Sequence, residues 1–189
     1  GAHGMGALAT FMPKPVQGIN GSGMHCHQSV FEGDHNLFYD PSDPYHLSAF
    51  ARSYVAGILE HIREITVVMN QHVNSYKRLV PGYEAPVYIC WARRNRSTLV
   101  RVPRIREGRE KSVRIELRSG DGVCNPYLAF SLMLAAGMDG VERKLALADP
   151  VEANIYEMTV LERSERGIRT LPEDLHDALR QAEKSDLVR

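Results

Sequence analysis

Apolar positions recur along this chain at two different periods, and the changes between them lay out its elements. Across residues 47–69, Leu47, Phe50, Ala51, Tyr54, Val55, Ile58, Leu59, Ile62 and Ile65 return at three- and four-residue steps. That is the spacing of an amphipathic helix with one face turned to a core. Residues 24–31, 87–91, 98–102 and 113–118 are short, alternating or rich in β-branched side chains, and read as strands. Asn125 followed by Pro126 is a helix start, an N-cap and then a proline in the first turn. That helix is predicted to run to about residue 147. It is apolar nearly all round from 127 to 138, which predicts burial on every side. A last helix begins near Pro172. Between these elements, Met12-Pro13-Lys14-Pro15 reads as extended or a turn, because each proline restricts the residue before it. Asn20-Gly21-Ser22-Gly23 predicts a turn, and residues 70–86 predict a polar loop. Interleaved strands and helices predict a single mixed α/β domain over residues 1–189.

Composition narrows the class. The chain is 43% hydrophobic and 24% charged, the balance of an ordinary globular domain, and it is long enough to bury a core. No stretch is long and apolar enough to cross a membrane. The first residues lack the basic start and apolar run of a signal peptide. The three cysteines are odd in number and widely spaced, which argues against a disulfide framework and fits a cytoplasmic location. The chain starts at Gly1 rather than Met and stops inside what reads as a helix, so it is expected to be a piece of a longer protein.

Charge alters the picture further. The formal net charge is zero, yet residues 93–118 hold nine Arg and one Lys against three Glu, an excess of seven. Overall neutrality disfavours generic nucleic-acid binding, while a concentrated basic segment suggests handling of phosphate. No aromatic residues alternate with these arginines as a single-strand-binding groove would require.

The candidate chemistry sits on the strands and loops. In Val113-Arg114-Ile115-Glu116-Leu117-Arg118, side chains alternate faces, so Arg114, Glu116 and Arg118 share one face, roughly 7 Å apart. Either this is a solvated sheet face with mutual ion pairs, or it is a site holding anions and a metal together. In Met24-His25-Cys26-His27-Gln28, residues His25, His27 and Ser29 share a face, and His-x-His is a moderate metal signal. The glycines before it let backbone approach a ligand closely. The segment 74–86 reads either as a surface connection or as a lid in which Arg78 fixes a carboxylate and Glu84 acts as a base. Arg93, Arg94, Arg96 and Arg101 supply further cations.

Taken in order, these segments resemble a family. Asn20-Gly21-Ser22-Gly23-Met24-His25-Cys26-His27, the run from Asn74 through Pro81-Gly82-Tyr83-Glu84 to Pro86, Arg94-Asn95-Arg96-Ser97, and Arg114-Ile115-Glu116-Leu117-Arg118 leading to Asn125-Pro126-Tyr127 closely resemble the C-terminal part of the glutamine synthetase catalytic domain, type I-like. The resemblance implies a curved, largely antiparallel sheet lined by active-site residues, with helices on its outer face. It implies an ATP-dependent ligase that joins glutamate and ammonia through γ-glutamyl phosphate, using Mg²⁺ or Mn²⁺. By motif, His25 and Glu116 match metal ligands, and Arg78 and Arg118 match binders of glutamate carboxylates. Asn20 and Gly21 match the turn that contacts the amino acid. His27, Ser29, Arg96, Arg101 and Arg114 match nucleotide-side contacts, with Arg96 and Glu84 as the catalytic pair. The resemblance implies a homo-oligomer, a dodecamer in the intact family, and no nucleic-acid partner. It also places the remaining metal carboxylates N-terminal to this segment, so the 189 residues alone are expected to be inactive. A sister ligase that attaches a polyamine or another amine to glutamate is the alternative, and a non-catalytic homologue of the same fold is another. Ser119-Gly120-Asp121-Gly122-Val123-Cys124 departs from the family's usual residues, and is expected to touch no named ligand. Tyr156 lies where one branch of the family is adenylylated, but its surroundings differ from that branch.

Overall fold

The computed structural model describes residues 1–83, 85–95, 97–106 and 108–189. Its elements in chain order are β1 (Cys26–Gln28), β2 (Phe31–Glu32), β3 (His35–Asn36), α1 (Ala49–Met69), α2 (Val73–Arg78), β4 (Tyr88–Ala92), β5 (Thr98–Arg101), β6 (Ile115–Leu117), α3 (Pro126–Glu142), α4 (Val160–Glu165), β7 (Arg169–Thr170) and α5 (Leu175–Ala182). The mixed α/β architecture expected from the sequence is the one observed.

Five strands form one sheet in the order β1-β6-β5-β4-β7, and β2 with β3 forms a separate hairpin. Every neighbouring pair in the larger sheet is antiparallel except β4 and β5, which run parallel. The connection between those two is short. Asn95 pins it by donating from its side-chain amide to the carbonyls of Val151 (3.0 Å) and Ala153 (2.6 Å). Period-two alternation then sorts the sheet into two faces. Cys26, Gln28, Ile115 and Leu117 turn to the helices; His27, Glu116 and Arg101 turn the other way, with His27 and Arg101 on either side of Glu116.

Helices α1 and α3 cover the face of the sheet opposite Glu116, the side on which helices are expected. Ser48 caps α1 by accepting from the backbone N–H of Ala51 (3.1 Å), and Asn125 caps α3 by accepting from that of Tyr127 (3.0 Å). The two helices cross almost backbone to backbone. A Cβ on Gly140 would lie 2.2 Å from the Ser53 carbonyl oxygen and 2.6 Å from Gly57 Cα, so only glycine fits. Tyr54 on α1 donates to the Gln28 side chain on β1 (2.9 Å), fastening helix to sheet. Trp91, Tyr54, Phe38, Leu47, Ile58, Leu99, Ile115 and Leu117 form the centre of the core. Cys26, Cys90 and Cys124 are free and buried; burial pushes the Cys90 thiol up to about 12. No helix among the described residues is long and apolar enough to cross a membrane.

Several local expectations change. Residues 24–31 do not make one strand: β1 ends at Gln28 and the chain turns into the β2–β3 hairpin. The predicted loop 70–86 contains α2, and neither α4 nor β7 was expected. Helix α3 stops at Glu142, and Lys144 follows with a left-handed φ of 52°. It is also not buried all round. Ala129, Met133, Ala136, Gly137 and Gly140 face α1 and the sheet, while Tyr127, Leu128, Phe130 and Leu134 are exposed. An all-apolar helix gives no polar stripe to mark its outer side, so periodicity alone could not orient it. Asn20-Gly21-Ser22-Gly23 is irregular extended chain rather than a turn, and neither glycine has a positive φ.

Candidate active site

The face of β1, β6 and β5 turned away from the helices gathers the predicted chemistry. Glu116 lies at its centre, 4% exposed. His25 Nδ1 is 2.9 Å from Glu116 Oε1, Arg118 Nε is 3.9 Å from the same oxygen, and Arg101 Nε is 2.6 Å from Oε2. The Arg101 N–H is not aimed along that last contact, so Glu116 Oε2 and Arg101 Nε are close in charge but unsatisfied as hydrogen-bonding atoms. Beside this cluster, Arg114 Nε donates to His27 Nδ1 (3.1 Å). Three strands with their flanking residues, distant in sequence, thus bring three cations and two imidazoles around one carboxylate.

The electrostatics favour anions and a cation together. Burial, with the charges of Arg118 and Arg78, pushes the His25 imidazole below its ordinary range, and Glu116 only partly opposes this. A neutral imidazole is the ligating form. Glu116 Oε2, buried without a hydrogen bond, is the kind of atom a metal ion would satisfy. His25 and Glu116 therefore fit a shared divalent cation. Among the described residues no group of three or more His, Cys, Asp or Glu is placed to hold one, so these two by themselves would supply only part of a ligand set.

Arg78 is bound to backbone beside this cluster, close enough for its charge to act on His25. It is 4% exposed, and burial pushes its guanidinium down to about 10. It donates to the carbonyls of Ser119 (2.7 Å), Gly120 (3.2 Å) and Arg118 (3.0 Å). A Cβ on Gly23 would fall 2.3 Å from an Arg78 terminal nitrogen, and one on Gly21 would fall 2.9 Å from Arg78 Cγ. The glycines of the Asn20–Gly23 stretch thus admit Arg78, a role the turn reading missed. The 119–124 segment also proves to touch a named residue, through the Ser119 and Gly120 carbonyls. Asn70 braces it from the end of α1, donating to the Ser119 carbonyl and to the buried Asp121 carboxylate, both at 3.0 Å. Neither Asn70 nor Asp121 carried a signal in sequence, since each is a lone polar residue in a loop. Asn20 and Ser29 are exposed, and Ser29 lines a pocket with His27, Tyr54 and Met133. Glu84 and Arg96 lie outside the described residues.

With this geometry in place, comparison with known proteins decides the family. The glutamine synthetase catalytic-domain family matches residues 1–189. The chain belongs to that family. It is similar to the glutamine synthetase of Methanosarcina mazei, with 53% identity over 188 residues, covering 100% of this chain and 41% of that protein. It is also similar to the Thermotoga maritima glutamine synthetase, with 53% identity over 183 residues and 97% and 41% coverage. Among solved structures, ligand-free GmaS superposes with a TM-score of 0.83 at 34% identity, over 99% of this chain and 41% of that one. A GmaS/ADP complex superposes with a TM-score of 0.81 at 34% identity, over 95% and 40%. This catalytic-domain chain therefore spans about two fifths of the length of the glutamine synthetases that it matches.

Proposed function

We propose that the protein is an ATP-dependent ligase that forms glutamine from glutamate and ammonia, with γ-glutamyl phosphate as intermediate. The observation that carries this reading is the convergence of His25, Arg101 and Arg118 on Glu116, with the Arg114–His27 pair beside it. A carboxylate is a poor electrophile, and phosphorylation gives it a leaving group. Phosphoryl transfer in turn depends on positioned cations that spread charge over the transferring oxygens. Arg101 and Arg114, with His27 and Ser29, face the nucleotide in this reading. Arg118 takes a glutamate carboxylate, and Asn20 and Gly21 contact the amino acid. Arg78, whose guanidinium donates to three carbonyls, holds the backbone of Arg118 in place and adds positive charge near His25. His25 and Glu116 would hold Mg²⁺ or Mn²⁺, which supplies charge neutralisation at the phosphates. Glu84 serves as the base that takes a proton from ammonium, and Arg96 as a cation on the transferring phosphoryl group. We further place the working enzyme in the cytoplasm as a homo-oligomer, a dodecamer by analogy with its family, and assign it no nucleic-acid or membrane partner.

The likeness to GmaS supports a second reading, a sister ligase that joins another amine to glutamate. The greater identity to glutamine synthetases, 53% against 34%, favours ammonia.

Calorimetric titration of ADP into the protein with Mn²⁺ tests the assignment. Glu116→Gln preserves shape while removing the charge at the centre of the cluster. We expect it to weaken nucleotide binding by roughly tenfold or more, the scale of a lost charge-assisted contact. Unchanged affinity in a folded Glu116→Gln protein contradicts the ligase site.

A further inference from the structure

The basic segment 93–118 divides in the fold. Arg101, Arg114 and Arg118 go to the Glu116 cluster, whereas Arg93, Arg94, Arg104 and Arg106 line a separate cavity of about 650 Å³. Parallel pairing creates it. With Ala92 opposite Arg101, and the Val102 N–H donating to the Ala92 carbonyl (2.9 Å), the exits of β4 and β5 lie side by side and deliver two arginines each. The loop between β3 and α1 supplies Tyr39 and His46 as another wall. The β4 exit is held firmly, because the Glu152 carboxylate accepts from the backbone N–H of Arg93 (2.8 Å) and of Arg94 (3.2 Å).

Three observations mark this cavity as built to receive something. Among the described residues, none of its four arginines forms an ion pair, and Glu110 is its one lining carboxylate. Arg93 Nε and His46 Nδ1 are both buried without a hydrogen-bond partner. His46 is held at a φ of 59°, a left-handed backbone that is uncommon outside glycine, with its ring 6.0 Å from that of Tyr39. Like charges gathered around a concavity, with a buried guanidinium N–H that has no acceptor, are stabilised by an oxyanion. The volume is that of a small-molecule pocket.

We propose that this cavity is a second ligand site, separate from the Glu116 cluster, for a small oxyanion carrying two or more negative charges of the phosphate or carboxylate class. It shares no lining residue with the Glu116 cluster and does not depend on the ligase reading.

The test reads binding at the cavity itself. The imidazole resonances of His46, assigned by their loss in His46→Asn, are followed by NMR while inorganic pyrophosphate or, separately, succinate is added at low ionic strength. A saturable shift is expected with at least one probe, and the stronger of the two identifies the anion class. Arg104→Gln/Arg106→Gln alters two exposed side chains, leaves the fold intact, and should raise the midpoint by about tenfold or more. Arg114→Gln, in the other cluster, should leave the midpoint where it was. No shift from either probe overturns the proposal, as does an unchanged midpoint in the double variant. A midpoint moved by Arg114→Gln in its place also overturns it, because the anion then belongs to the nucleotide side.

Discussion

Glu116 shows how a single buried charge organises its neighbours. Removed from water, its carboxylate is tolerated because Arg101, Arg118 and His25 surround it. The excess of positive charge around it is then available to anions that enter from outside. His61 illustrates the same physics used for stability. Its ring bridges two carboxylates, with Nδ1 3.1 Å from Glu64 on its own helix and Nε2 2.7 Å from Asp139 on α3. Burial alone would lower its pKa, but the hydrogen bonds and charges of Asp139 and Glu64 outweigh burial and raise it. A histidine whose folded-state pKa is raised adds stability in full below its unfolded value of about 6.5 and loses it as pH climbs through the folded value. The difference in urea midpoint between the native protein and His61→Gln should therefore be largest near pH 6 and shrink toward pH 8 and above, on the scale of that ordinary pKa of about 6.5. A difference that grows with pH would mean that the ring acts in its neutral form.

At the scale of elements, the crossing of α1 and α3 is the most exacting contact. Gly57 and Gly140 face each other, and the atoms nearest an added Cβ are backbone, which cannot swing aside. Gly140→Ala gains helix propensity on paper, yet it should destabilise the protein by about 3 kcal/mol, as overpacking does where nothing can yield. Equilibrium urea unfolding measures it, and a neutral or stabilising result would show that the helices can separate. The α1–α3 crossing bears on the site indirectly. Helix α1 ends at Met69, and Asn70 next to it holds the Ser119–Asp121 segment whose carbonyls receive Arg78. Helix packing and site geometry are thus joined at the end of α1, through Asn70 and through the Met69 carbonyl, which accepts from the Asp121 N–H (3.3 Å).

For the whole molecule, metal and nucleotide should act on stability together. If His25 and Glu116 share a divalent cation with a bound nucleotide, ADP with Mn²⁺ at a hundred times its Kd should raise Tm by roughly 5–10 °C. EDTA should abolish that increment and leave the ligand-free Tm unchanged. An increment that survives EDTA would separate nucleotide binding from metal. The sequence by itself determined the long helix over 47–69, the capped start at Asn125 and the alternation of Arg114, Glu116 and Arg118, because these depend on near neighbours and on a fixed period. Its motifs also carried the family. It could not determine which side of the all-apolar α3 is buried, or that Gly23 yields its space to Arg78. Nor could it divide the arginines of 93–118 between two places. Those outcomes follow from contacts between residues far apart in the chain, above all the parallel pairing of β4 with β5 and the close crossing of α1 with α3. Local chemistry proposes such partners in number, and only packing selects among them.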